Sequence, residues 1–324
     1  MRVCHFVAST GLGRGDAFVD LVNVLAEDME IFLLCPKGSR FLLSLSDRIT
    51  VLEYSSANTR LNPFLLLELY GLLRRVKPDI VHTHFAKATE IYHLLHRFVG
   101  VCHVATKHNP RKGKIFNRIE HVIAVSKGVA ESISHPVEVI YNGIRPVTVA
   151  RNAGNDIFRI CAVGRLDKIK GLDTLIREVA TLPFDYLLEI AGDGEERLPL
   201  QELIGSLNLQ EKVKLLGFRT DIPQILADSD LQVISSLSEG FSLAMVEGIF
   251  YSELLISTDV AGANEILDKR LIISGRHIAD KIIDIYADYQ SYKNIFAETK
   301  KEFVKKLDIE CTSKLYADCY KNYL

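Results

Sequence analysis

The sequence contains no apolar run of the roughly 18 residues needed to span a bilayer. Its start, MRVCHFVAST, lacks the long apolar core and cleavage region of a secretory leader, so the chain is expected to stay in the cytoplasm. No C-x-x-C pair occurs among the six cysteines, Cys4, Cys35, Cys102, Cys161, Cys311 and Cys319. They are scattered, several in strand-like runs, which favours reduced and mostly buried thiols. There is no low-complexity segment and no short repeat. Nor does one sign of charge dominate: the net charge is −2. That total conceals an asymmetry, because residues 1–150 hold 18 Lys/Arg against 13 Asp/Glu and residues 151–324 hold 21 against 28, with nine of ten histidines in the first half. A basic first half is suited to meeting something anionic. The chain as a whole carries neither the aromatic interleaving nor the overall positive charge of a nucleic-acid binder, and no nucleic-acid partner is expected.

What is present is 324 residues, 48% hydrophobic and 25% charged, enough for two ordinary globular cores. Short apolar runs alternate with helical stretches. The strand candidates are 2–9, 30–35, 79–84, 103–108, 121–125 and 137–142, then 158–164, 186–192, 212–217, 231–235, 254–258 and 271–274. Strand and helix in alternation give parallel sheets covered on both faces, and two such series predict an α/β chain of two doubly wound, Rossmann-like domains. Between them, GIRPVTVARNAGND (143–156) interrupts the periodicity with proline, glycine and small polar residues. The expected division is 1–148, 149–305 and a terminal segment 306–324. Parallel sheets bind ligands beyond their strand ends, so the expected site is a cleft between the domains.

Five stretches can carry chemistry. STGLGRGDAFV (9–19) leads from a strand into a helix, with Gly11, Gly13 and Gly15 allowing close backbone approach to a ligand. A dinucleotide site is disfavoured, because the third glycine of G-x-G-x-x-G falls on Asp16 and the second strand ends in LLCPKG without a ribose-binding acid. Arg14 and Asp16 remain available to a substrate. In VGRLDKIKGLDTLI (163–176), Gly164 precedes a loop from which Arg165 and Lys170 project, and two cations beside a helix start suit a diphosphate. IAGDGEE (190–196), with Gly192, is either a plain turn or a backbone contact for a nucleotide. In LLGFRTDIPQIL (215–226), Phe218 either packs in the core or flanks a base.

The fifth, SSLSEGFSLAMVEGIFYSELLISTD (235–259), sets Glu239 in a connection and Glu247 within a helix. A helix-held carboxylate can accept from both hydroxyls of a ribose diol, the natural role for Glu247. The amides of Gly240, Phe241, Ser242 and Leu243 lie at the helix start, where phosphate or sugar binds, and Glu239 is placed to grip sugar hydroxyls. Two carboxylates also serve glycoside hydrolases. Here, however, one stands before the helix and one within it, which suits successive contacts along one extended ligand.

The order VGRLDKIKG, AGDGEE, LLGF, SEGFSLAMVEG and STDVAGANEIL resembles the retaining glycosyltransferases of family 4, with TGLGRGD, DIVHTHFAKA, TKHN, IAVSKGVAE and VIYNGI resembling that family's N-terminal landmarks. The resemblance implies the GT-B fold, two Rossmann-like domains facing across a cleft. It makes Arg165 and Lys170 the diphosphate clamp, Glu239 the donor-sugar contact and Glu247 the ribose ligand. His108 in TKHN matches the histidine facing the donor sugar, and Gly13 the loop near phosphate and acceptor. His84 has a placement similar to that of His108, and Asp16 is a candidate base or else a helix N-terminal acid. One departure is Ala261, where the family often has the first glycine of a pair.

The implied reaction moves a sugar from a nucleotide-diphosphate donor, UDP-sugar favoured, to a glycan or lipid-linked acceptor such as lipopolysaccharide core, with no metal or other cofactor. No tight Asp-x-Asp cluster stands at a strand end to hold an ion on the diphosphate. In the same fold, SKLYADCYKNYL (313–324) looks like the last helix, which packs back on the N-terminal domain. KHNPRKGKIFNR (107–118) gathers Lys107, Arg111, Lys112, Lys114 and Arg118 with Ile115 and Phe116, a composition suited to an anionic lipid headgroup or phosphorylated saccharide, hence peripheral contact with the inner face of a membrane. A sugar-nucleotide epimerase of the same fold and a non-catalytic nucleotide-sugar-binding protein are the alternatives.

Overall fold

The structure is a computed structural model that describes residues 1–10, 17–110, 113–152, 157–274 and 277–324. The chain forms two compact units, Met1–Arg145 with Lys306–Leu324, and Pro146–Lys305.

The first unit contains β1 (Arg2–Val7), α1 (Ala17–Asp28), β2 (Glu30–Pro36), β3 (Thr50–Tyr54), α2 (Pro63–Val76), β4 (Ile80–His84), α3 (Phe85–Val99), β5 (Cys102–Lys107), β6 (His121–Ala124), the single turn α4 (Lys127–Ala130) and β7 (Glu138–Val139). All strand pairs are parallel, in the order β3-β2-β1-β4-β5-β6-β7. Strand β3 was absent from the sequence-based set. It is an edge strand whose side chains are alternately exposed and buried, so it lacks the continuous apolar run of its doubly covered neighbours.

The period of two along each strand divides the core. Val3 and Val7 of β1 pack with Phe18, Leu21 and Leu25 of α1, whereas Cys4 and Phe6 pack with Leu65, Leu69 and Leu73 of α2 and Ile91 and Leu95 of α3. Helix α2 starts where the sequence chemistry places it: the Asn62 side chain accepts from the Phe64 amide, and Pro63 occupies the first turn.

The second unit contains β8 (Phe158–Val163), α5 (Leu172–Val179), β9 (Tyr186–Ala191), α6 (Arg197–Ser206), β10 (Val213–Gly217), α7 (Ile222–Asp228), β11 (Leu231–Ile234), α8 (Leu243–Tyr251), β12 (Leu255–Thr258), α9 (Ala261–Ile266), β13 (Ile272–Ile273), α10 (Ile278–Ala287) and α11 (Tyr289–Phe303). Its parallel sheet runs β10-β9-β8-β11-β12-β13. In both sheets the winding direction reverses beside one strand, between β1 and β4 and between β8 and β11. Such reversals leave a crevice at the carboxyl ends of the strands.

Helix α12 (Ile309–Tyr323) belongs to the first unit. Tyr316 and Tyr320 enter the α1 side of that core. The approach is fixed by backbone bonds, Ile144 amide to Leu307 carbonyl and Ile309 amide to Ile144 carbonyl, both 3.0 Å. All six cysteines are free, with Cys4, Cys35 and Cys161 buried. Among the described residues no helix is long and apolar enough to cross a membrane.

Candidate functional site

In the second unit the predicted residues gather at the β8/β11 reversal. The loop after β8 is shaped by Asp167, whose carboxylate accepts from the Ile169 and Lys170 amides and from Arg165 Nε at 2.7 Å. Lys170 Nζ meets Glu239 Oε1 at 2.5 Å, and Ser236 Oγ donates to the same oxygen at 2.8 Å. Two bonds lock the β8 and β11 loops together: the Leu237 amide to the Ile169 carbonyl, 2.7 Å, and Ser235 Oγ to the Lys170 carbonyl, 2.8 Å. Arg165 stays largely exposed.

Glycine makes this crowding possible. Gly171 has φ +61°, and a Cβ there would lie 2.3 Å from the Ser235 carbonyl oxygen. Gly192, at the end of β9, has φ +147°, and its Cβ would fall 1.8 Å from the Gly164 carbonyl oxygen. No side chain fits either place.

Ser242 is the N-cap of α8 and makes no side-chain capping bond, so the helix start keeps donors for a ligand. Phe241 is buried, and Gly262 of α9 lies so close that its Cβ would be 2.8 Å from the Phe241 ring. Glycine is thus kept at the second place of the pair whose first is Ala261. One turn into α8, Glu247 is half-buried, with no hydrogen-bond or ion-pair partner among the described residues. Burial pushes its carboxyl up to about 7. Phe218 is 65% exposed, which removes the core reading.

The Asp-x-Asp triplet Asp228–Ser229–Asp230 lies before β11, at the opposite end of the sheet. Its carboxylates are engaged by the Asn152 and Arg159 amides, both 2.8 Å, and by the Arg151 guanidinium.

In the first unit, Gly11, Gly13, Arg14 and Asp16 lie outside the described residues, as do Arg111 and Lys112. His108 follows β5, half-buried, and its ring stacks on Phe85 at 4.3 Å. His84 corrects an expectation. Predicted as a substrate contact, it is almost fully buried, because even-numbered side chains of β4 point under α1 and α12; it stands behind His108, with His84 Nδ1 3.4 Å from His108 Nε2.

Of the 107–118 segment, Lys114 and Arg118 are exposed, but two of the expected surface residues are not. Lys107 is buried and donates to Ser132 Oγ at 2.8 Å, and Phe116 is a core residue. Two contributors escaped the sequence reading. Asp167 had a local signal, an acid capping a turn between two cations; His5 had none, being one polar residue in an apolar strand.

The geometry has clear relatives. A model of the glycosyl transferases group 1 matches residues 150–302, and one of glycosyltransferase family 4 matches 17–147. The lipopolysaccharide core biosynthesis glycosyltransferase LpsE of Rhizobium meliloti is 29% identical over 276 residues, 81% of this chain and 80% of that protein. An N-acetylgalactosamine-N,N'-diacetylbacillosaminyl-diphospho-undecaprenol 4-alpha-N-acetylgalactosaminyltransferase of Campylobacter jejuni is 38% identical over 134 residues, 40% of this chain and 37% of that protein. The crystal structure of Anabaena HepE in complex with UDP superposes with a TM-score of 0.86 at 19% identity, covering 99% of this chain and 100% of that one. This chain belongs to the family 4, group 1 glycosyltransferases and is a transferase of GT-B type.

Proposed function

We propose that this glycosyltransferase moves a sugar from a UDP-sugar to a lipid-linked or lipopolysaccharide-core glycan, with retention at the anomeric carbon and without a metal or organic cofactor. The observation that carries the donor half is the Lys170–Glu239 pair at the β8/β11 reversal. A cation held beside a carboxylate there serves two neighbouring parts of one ligand, the diphosphate and the sugar hydroxyls. As the glycosidic bond breaks, negative charge grows on the diphosphate. Lys170, Arg165 and the amides of Gly240 to Leu243 stabilise it without reorganising. The departing phosphate helps take the acceptor proton from the same face. Glu247 takes the ribose diol, Phe218 flanks the base, and Gly164 and Gly192 let the backbone approach. His108 meets the transferred sugar. The names of LpsE and the Campylobacter enzyme support the acceptor class, and HepE, solved with UDP, supports the nucleotide.

The first unit takes the acceptor, and α2 supplies its membrane contact. Leu61, Phe64 and Leu67 are 79%, 74% and 68% exposed, and Gly71, Arg74 and Arg75 continue that face at spacings of three and four. Apolar side chains followed by arginines match an anionic lipid surface, and the one acid on this face, Glu68, is engaged by the Ser55 and Ser56 amides.

Calorimetry with UDP, GDP and ADP, in the absence of metal, tests the donor site. Binding of UDP alone, weakened in Lys170→Ala and Glu247→Ala, is expected; failure to bind any nucleotide overturns the assignment.

A further inference from the structure

Behind His108 runs a row of buried imidazoles across β1 and β4. His5 Nδ1 lies 3.0 Å from His84 Nε2, and His84 Nδ1 lies 3.4 Å from His108 Nε2. His82, the cross-strand partner of His5, is separate: its Nδ1 bonds Tyr320 Oη at 2.5 Å and its Nε2 bonds Thr106 Oγ1 at 2.7 Å.

Nitrogens of His5, His82 and His84 fall within 4.8 Å of one another, a spacing that invites a metal reading. Their bonds oppose it. Both His82 nitrogens are engaged by hydroxyls, and the His82 and His84 rings stack at 4.3 Å and 25°, side by side rather than converging on a point.

The row is instead a directed chain. Burial pushes His5 down to about 3 and His108 to about 4, and holds His84 well below the ordinary imidazole value, so all three are neutral at physiological pH. A neutral imidazole has one donor and one acceptor, so two linked bonds allow two directions. If His108 donates to His84 and His84 to His5, the last proton sits on His5 Nε2. That atom is buried without a hydrogen-bond partner, in a ring whose neighbours include Phe18 and Tyr320. The reverse direction leaves only a lone pair there, and an orphaned N–H is the rarer and costlier defect. Protons then lie on Nδ1 of His5, His84 and His108.

We propose that His5 and His84 are positioning residues that lock His108 in the Nδ1–H tautomer, making it a neutral hydrogen-bond donor toward an oxygen of the transferred sugar. Phe85 completes the clamp. Its ring stacks on His108, and its φ of +65° is unusual for an aromatic residue, a conformation retained where surrounding contacts over-determine it. The proposal rests on the reading that His108 meets the sugar. The tautomer itself can be read without substrate.

The test is long-range proton–nitrogen correlation NMR on the full-length, nitrogen-15-labelled protein, with His108 assigned by loss of its signals in His108→Gln. A protonated, pyrrole-type Nδ1 and a pyridine-type Nε2 are expected for His108; the opposite pattern overturns the proposal. In His5→Phe, which removes the first donor, His108 nitrogen shifts should move toward the average of two tautomers and turnover should fall about tenfold. UDP affinity should not change. An unshifted His108 in that variant also overturns the positioning role. Absence of nucleotide binding in wild type would defeat the donor-site reading while leaving the tautomer result standing.

Discussion

Glu247 is a carboxyl held near neutrality by burial, and two consequences follow at the residue scale. Its folded pKa, about 7, lies above the ordinary 4.5, so the folded state binds its proton more tightly than the unfolded chain does. That contribution to stability is full below pH 4.5 and is lost as pH rises through 7. Glu247→Gln should therefore flatten the pH dependence of urea unfolding between 4.5 and 7. Nucleotide binding carries the opposite sign, because the ionised carboxylate is the better acceptor for a ribose diol. UDP affinity should rise from pH 5.5 to 8 in wild type and level in Glu247→Gln, as calorimetry at several pH values will show. Lys170 has a different task. Lys170→Ala removes a cation from the developing diphosphate charge and leaves Glu239 with Ser236 alone, so kcat should fall by about 10² to 10³.

At the scale of elements, the donor site depends on the close passage of strand ends. The Gly192 Cβ position is occupied by the Gly164 carbonyl, and neither β8 nor β9 can shift without breaking its ladder with the other. Gly192→Ala should cost about 3 kcal/mol or more, seen as a lower urea midpoint. The docking of α12 is tuned more finely. Tyr320→Phe keeps the ring in the core but strands His82 Nδ1, an unsatisfied buried group costing about 1–3 kcal/mol in the same experiment.

At the scale of the whole molecule, the chain leaves the first unit at Arg145, builds the second and returns at Lys306, so the first core is completed by its last residues. The same unit carries the exposed α2 face. A triple Leu61→Ser, Phe64→Ser, Leu67→Ser variant should lose sedimentation with phosphatidylglycerol vesicles while keeping wild-type UDP affinity; equal sedimentation would remove α2 as the contact.

Much of this was legible in the primary structure because parallel strands covered on both faces need continuous apolar runs, and glycine-rich turns must follow them. The strands bearing the donor loops could be read from those two rules, as could the places of Arg165, Lys170, Glu239 and Glu247 along the chain. Edge strand β3 could not, since half of its side chains face water. The Lys170–Glu239 contact joins residues 69 apart in sequence and exists only because β8 and β11 are neighbours at the winding reversal. The burial of His84 and Phe116, and the histidine row that His5 completes, were likewise decided by tertiary structure. Residue type and local spacing determine which elements form, whereas the face a side chain takes and the partner it meets depend on strand order and on what covers the sheet.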